Sequence, residues 1–69
     1  MISVISSSIA AIGHDVHQSK LFVRFHHRNR TYVYDGVSAS VYAAFLHAPS
    51  KGTFLASRIR GKYPYQQVA

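Results

Sequence analysis

Between Lys20 and Asp35 the chain alternates twice, and that double alternation restricts the fold more than any other feature. Leu21, Val23 and Phe25 fall on one side of an extended segment, with Lys20, Phe22, Arg24 and His26 on the other. A period of two is the signature of a half-buried β-strand. After His27-Arg28-Asn29-Arg30 the alternation resumes in Thr31-Tyr32-Val33-Tyr34-Asp35, with both tyrosines on one side. Two such runs joined by a short polar link read as an antiparallel hairpin, and Asn29 is the link residue best able to take a positive φ. With Arg28-Asn29 as a two-residue loop, Phe25 falls opposite Tyr32 and Val23 opposite Tyr34. One face then carries Leu21, Val23, Phe25, Tyr32 and Tyr34, and the other carries Arg24, His26, Thr31 and Val33. A one-residue slip would scatter the apolar set, so the register is strongly specified. The Thr31–Val37 stretch is expected at the centre of a small sheet.

The flanks fit around this hairpin. Ser6-Ser7-Ser8 is polar and leads into Ile9-Ala10-Ala11-Ile12-Gly13-His14, a run of strand or half-strand character too short for periodicity to decide. Asp15 to Ser19 reads as a turn. Asp35-Gly36 ends the second strand, and Ser38 is placed to cap a helix over Ala39 to His47. Val41, Ala44, Phe45 and Ala48 recur at helical spacing, with Tyr42 and Leu46 widening the stripe. Pro49 stops this helix, because it lacks the amide donor and disfavours helix at the residue before it. Ser50 can cap a second short helix from Lys51 to Arg60, with Phe54, Leu55 and Ile59 as its apolar side and Gly61 as a left-handed C-cap. Tyr63-Pro64-Tyr65 is then extended, and Tyr65 to Val68 returns as an edge strand. The expected fold class is α+β: a small antiparallel β-meander with two short helices packed on one face, in one domain over residues 1–69.

Composition sets what else must hold. A chain of 69 residues buries only about 60% of the surface it exposes when unfolded. There is no cysteine, so neither a disulfide nor thiolate zinc can reinforce the core, and a reducing compartment is the natural setting. Apolar residues at 48% against charged ones at 14% describe a folded domain. The start, Met1-Ile2-Ser3-Val4, lacks the basic and long apolar regions of a secretory leader, and no apolar run reaches the roughly 20 residues of a membrane span. The expectation is a cytoplasmic protein without a membrane partner. Eight Lys and Arg oppose two Asp, for a net charge of +6 and a pI near 10.2. So basic a domain attracts polyanions, nucleic acid first and an acidic protein surface second.

Several stretches, taken in order, resemble a known family. They are Ile12-Gly13-His14-Asp15, Leu21-Phe22-Val23-Arg24-Phe25, Tyr32-Val33-Tyr34, Val37, Ala48-Pro49-Ser50-Lys51-Gly52 with Phe54, and Ile59-Arg60-Gly61-Lys62-Tyr63. The pattern is similar to the KTSC domain, a short module found at the C-terminus of some lysyl-tRNA synthetases and alone in bacteria and phages. The Tyr-x-Tyr and Ser-Lys-Gly elements are its best markers, and the likeness spans Ser6 to Val68. The attachment to synthetases implies an RNA-binding role by analogy. Three positions depart from the pattern. His14 stands where an aromatic is usual, His27 to Arg30 replaces a turn that commonly holds Gly, and Ser38 stands where Pro is common.

Candidate sites are few. Lys51, Arg58, Arg60 and Lys62, interleaved with Tyr63 and Tyr65, combine the cations that contact phosphate with the aromatic faces that stack on unpaired bases. The competing reading has the tyrosines on the core and the cations merely solvated. Arg24, His26, His27, Arg28 and Arg30 make a second basic patch at the hairpin turn. Tyr32 and Tyr34 could form a stacking platform, but their register with Val23 and Phe25 makes them core, with hydroxyls at the rim. Five histidines raise the question of metal; with only Asp15 and Asp35 as carboxylates and no thiol, no ligand set is expected. No Glu or Cys and no nucleophile motif points to catalysis. Ser50-Lys51-Gly52-Thr53 resembles half a phosphate loop without its upstream glycine and strand, and at a helix start it could hold one phosphate. The expected function is a non-enzymatic nucleic-acid-binding module, for RNA first, with no cofactor. The rival is a small regulator that docks by its basic hairpin, or by pairing with an exposed edge strand, on an acidic host enzyme.

Overall fold

The computed structural model describes all 69 residues. Five strands form one antiparallel sheet in the order β1-β2-β3-β4-β5, a meander with no crossover. They are β1 (Ile2–Ser3), β2 (Ile9–Asp15), β3 (Lys20–Phe25), β4 (Thr31–Asp35) and β5 (Tyr65–Gln67). Helix α1 (Ala39–His47) and helix α2 (Lys51–Phe54), which continues into a π-helical turn over Leu55–Ile59, lie between β4 and β5 in the chain. The α+β class, the meander and both helices are as expected from the sequence. The middle strand, however, is β3, and β4 lies one place off centre. The two-residue strand β1 was not expected.

The hairpin keeps its expected faces but not its expected partners. Val23 pairs with Tyr32 and Leu21 with Tyr34, so each tyrosine sits opposite a residue two places earlier on β3, further from the turn, than a two-residue loop requires. The link is longer than such a loop. The Phe25 amide donates to the Arg30 carbonyl at 2.8 Å, closing over His26 to Asn29. Arg28 (φ 59°) and Asn29 (φ 51°) both take the left-handed region. An even shift preserves the side-chain face, which is why the apolar set remains together.

A bulge explains why β2 could not be read from periodicity. Ile9 pairs with Phe25 and Ala11 with Arg24, leaving Ala10 as the extra residue. The bulge turns Ile9 and Ile12, which are of opposite parity, onto the same inner face, and both are fully buried. With Leu21, Val23, Tyr34, Val37, Phe45, Leu55 and Ile59 they form the one core cluster, between the sheet and the two helices.

Capping follows the sequence. The Ser38 hydroxyl accepts from the Val41 amide and the Ser50 hydroxyl from the Thr53 amide, each at 3.3 Å. Phe45 is the fully buried residue of α1, with Val41, Tyr42 and Leu46 beside it, whereas Ala44 lies on the solvent side, contrary to the expected stripe. The larger side chains rotate the buried face toward Tyr42 and Leu46. Gly61 takes φ 80° after the π turn, as a C-terminal reversal demands.

Candidate functional site

The inner face of the sheet is longer than the helix layer that covers it. Leu21, Val23 and Tyr34 are buried, but toward the His27–Asn29 turn Phe25 and Tyr32 are only partly covered. There the sheet floors a groove of about 490 Å³. Its walls are the Ser7-Ser8 segment before β2, His27 and Arg30 from the turn, and Arg60 and Tyr65 from the C-terminal segment.

The aromatic floor is assembled by strand pairing. β5 joins β4 with Tyr65 opposite Tyr34 and Gln67 opposite Tyr32. The Tyr65 ring then stacks on Tyr32 with centroids 5.6 Å apart and planes 25° apart, and leans on Tyr34 at the same distance. Phe25 meets Tyr32 edge-on at 5.6 Å. Tyr65 keeps 58% of its surface exposed, so its outer face is open to a ligand.

Cations stand at the rim. Arg60 follows the π turn, whose extra residue per turn is fixed by the Arg60 amide donating to the Leu55 carbonyl at 2.7 Å. Such turns are frequent at functional sites. Gly61 then reverses the chain and returns it to β5, so Arg60 and Tyr65 meet in the same groove. Burial pushes the Tyr34 hydroxyl above the usual tyrosine range, and the Arg60 guanidinium beside it partly opposes that rise. Neither Asp15 nor Asp35 lines the groove; both belong to the opposite sheet face, paired across Lys20. The groove is therefore aromatic and cationic, with no acidic side chain to oppose an anion.

A second, polar hollow of about 180 Å³ adjoins it, bounded by Ile5, the three serines and the Pro49-Ser50-Lys51-Gly52 segment. Ser7 and Ser8 border both spaces. The contact between them is close, since a Cβ on Gly52 would stand 3.3 Å from the Ser8 Oγ, which would have to shift by a few tenths of an ångström. The Lys51 ammonium donates to the Ala48 carbonyl at 2.7 Å, holding it against this hollow.

Of the residues expected at a binding surface, Arg30, Arg60 and Tyr65 meet in the groove, and Lys51 borders the hollow beside it. Arg28 is exposed in the turn without lining the groove, and Lys62 is exposed just beyond Gly61. Arg58 lies over the Phe54 ring, 5.4 Å from its centroid. Arg24 belongs to the opposite face of the sheet, where its Nε donates to the Thr31 hydroxyl at 3.2 Å. Tyr63 is half-buried against the core cluster and does not line the groove. The sequence reading missed Phe25, Ser7 and Ser8, and it assigned Tyr32 to the core together with Tyr34. Tyr34 is core, at 2% exposure; Tyr32 packs against the core cluster but is only half-buried and also lines the groove.

The histidines are dispersed. His14 lies on the inner face of β2, stacked on Tyr42 at 5.1 Å, and its Nε2–H donates to the Val37 carbonyl at 2.7 Å. No group of three or more His, Cys, Asp and Glu side chains converges on a point that could hold a metal ion. No helix is long and apolar enough to cross a membrane.

A model of the KTSC domain matches residues 5–63. No curated protein matches the chain. The crystal structure of a KTSC domain protein from Yersinia pestis superposes with a TM-score of 0.92 at 34% identity, covering 97% of this chain and 93% of that one.

Proposed function

The chain belongs to the KTSC domain family, and from that premise we propose that it is a non-catalytic module that binds single-stranded nucleic acid, RNA in the first place. The observation that carries this reading is the groove in which Tyr65, Tyr32 and Phe25 lie among Arg30, Arg60 and His27. Unpaired bases stack on exposed aromatic faces, and arginines at the rim meet the phosphates that follow. A duplex keeps its base faces stacked inside and has none to offer Tyr65. The net charge of +6 adds long-range attraction for a polyanion. Such a module would work in the cytoplasm, where RNA is abundant, and needs no cofactor.

The test is an NMR titration with short single-stranded RNA and DNA oligomers at low salt. The amides of Arg30, Tyr32, Arg60 and Tyr65 are expected to shift together, with RNA at least as effective as DNA. Oligomers that leave these four signals in place would sink the proposal.

A second reading has one observation in its favour. β5 is an edge strand whose three residues are all exposed, and a partner protein could add a strand there. Capture of one acidic protein from nuclease-treated lysate, with protection of the β5 amides and no shift at Arg30 or Tyr32, would favour this alternative.

A further inference from the structure

We infer that the groove and the hollow beside it form one compact site for a single phosphorylated nucleoside, and not a segment of a long track along a strand. The inference rests on the nucleic-acid reading and narrows it to the size and chemistry of the ligand.

Three observations limit the footprint. First, the groove offers one open aromatic face. Tyr65 is 58% exposed, while Tyr34 beneath it is 2% exposed and Tyr32 is covered by the Tyr65 ring on one side and met by Phe25 on the other. One open ring accommodates one base.

Second, the volume is that of a small-ligand site. At about 490 Å³ the groove falls within the roughly 300–1,000 Å³ typical of pockets for single small molecules. The hollow reached past Ser7 and Ser8 adds room for a sugar or a phosphate.

Third, most of the cations lie outside the two spaces. Of the eight Lys and Arg, only Arg30, Arg60 and Lys51 border the two spaces. Arg24 and Lys20 project from the other face of the sheet, with Arg24 on Thr31 and Lys20 3.9 Å from Asp35. Arg58 is folded over Phe54. Arg28, in the turn, and Lys62, beyond Gly61, are exposed outside both spaces, so a strand running past the groove would gain at most these two further cations. The base therefore lies on Tyr65, and Arg30 and Arg60 hold the phosphate. The same chemistry is offered by a free nucleoside monophosphate and by the terminal nucleotide of a strand.

The test is calorimetric titration of the whole chain with adenosine and uridine 5′-monophosphates, and with 5′-phosphorylated oligoadenylates and oligouridylates of increasing length up to about ten residues. Affinity is expected to reach its plateau by the dinucleotide, gaining less than about threefold on further lengthening. With three cations engaged, the log–log salt slope should be no steeper than about −2, at roughly −0.7 per neutralised phosphate. Monophosphates equal to the oligomers would identify the free nucleotide as sufficient ligand. Phosphorylated oligomers at least tenfold tighter than monophosphates, with loss of that gain when the terminal phosphate is removed, would identify a strand end. Either result supports the site.

Affinity that climbs tenfold or more beyond the dinucleotide, with a slope steeper than about −4, would overturn the compact site and leave nucleic-acid binding intact. Failure of every nucleotide and oligomer to bind would remove both. Tyr65→Leu and Arg60→Gln should each weaken binding about tenfold or more, whereas Lys20→Gln and Arg24→Gln should leave it within about twofold. Equal losses from all four would reduce the interaction to diffuse charge and overturn the proposal. NMR spectra of each variant establish that the fold is retained.

Discussion

Tyr34 links the core to the groove: its ring is buried among Leu21, Val23 and the helices, yet it borders the groove beside Arg60. Burial disfavours the tyrosinate, so its folded pKa lies above the ordinary 10.0; Tyr42, half-buried on α1, is shifted the same way for the same reason. A group whose folded pKa is raised contributes stability that is fully present below the unfolded pKa and lost as pH rises through the folded one. The folded state binds more protons above pH 10, so these two tyrosines should leave stability untouched up to that point and erode it beyond. Two phenols are expected to ionise after the others when tyrosinate absorbance is followed, and the denaturation midpoint should begin to fall in the same pH interval. Tyr34→Phe should remove one of the late phenols; five phenols titrating together would contradict the assignment. The departures from the family pattern also make sense at this scale. His14, standing where an aromatic is usual, stacks on Tyr42 like one and adds a hydrogen bond to the Val37 carbonyl. Ser38, where proline is common, gives α1 a hydroxyl cap. Only the turn takes on a cost, at Arg28, where the left-handed conformation is unfavourable by about 1–2 kcal/mol; Asn29 tolerates it better.

At the scale of elements, each helix start rests on one serine. α1 is nine residues long, too short to be stable alone in water, and its first turn contains no acidic side chain to offset the dipole. Ser38→Ala should therefore cost about 1 kcal/mol, lowering the urea midpoint without changing the slope of the transition. Ser40→Ala, which removes the hydroxyl that bonds Ser38 at 3.0 Å but leaves the cap itself, should stay within about 0.5 kcal/mol. Equal effects from the two would mean that the cap contributes nothing of its own. These helix signals were legible in the chain because capping and Pro49 act over a few neighbouring residues. β3 and β4 were legible because period-two alternation is equally local. What escaped was set by neighbours distant in sequence. The bulge at Ala10 is invisible to a parity count, and the pairing of Tyr32 with Val23 depends on a turn conformation that Arg28 does not announce. The two residues of β1 pair only because β2 offers an edge.

For the molecule as a whole, the same distinction separates the core from the groove. The core contributed by β3, β4 and the helices was legible because those buried residues belong to amphipathic patterns, whereas Ile9 and Ile12 of β2 do not. The groove draws Ser7, Phe25, Arg30, Tyr32, Arg60 and Tyr65 from three separated stretches, and no window of sequence contains them together. Arg60 and Tyr65 could be flagged as a basic and aromatic tail, but not their approach to Tyr32, which needs the π turn, Gly61 and the β4–β5 pairing at once. The groove thus depends on the one core that holds β5 and the helices to the sheet. That core is small: at roughly 0.05–0.15 kcal/mol per residue, a chain of 69 residues has about 3–10 kcal/mol of total stability, with no disulfide to add to it. Phe45 is its largest fully buried side chain, stacked on Phe54 at 5.1 Å with planes 12° apart. Removing that ring costs the transfer of its buried surface plus the cavity left behind, about 3–5 kcal/mol. Phe45→Ala should therefore remove from about a third to all of that stability, sharply lowering the urea midpoint or abolishing the cooperative transition. Phe45→Leu fills most of the volume and should remain folded with a lowered midpoint. Because the π turn packs into this core and β5 pairs with β4 over it, the alanine variant should lose nucleotide binding to the extent that it unfolds, and the leucine variant should retain it under conditions where it is fully folded. An alanine variant that unfolds cooperatively near the wild-type midpoint would show that α1 contributes far less to the core than its burial implies.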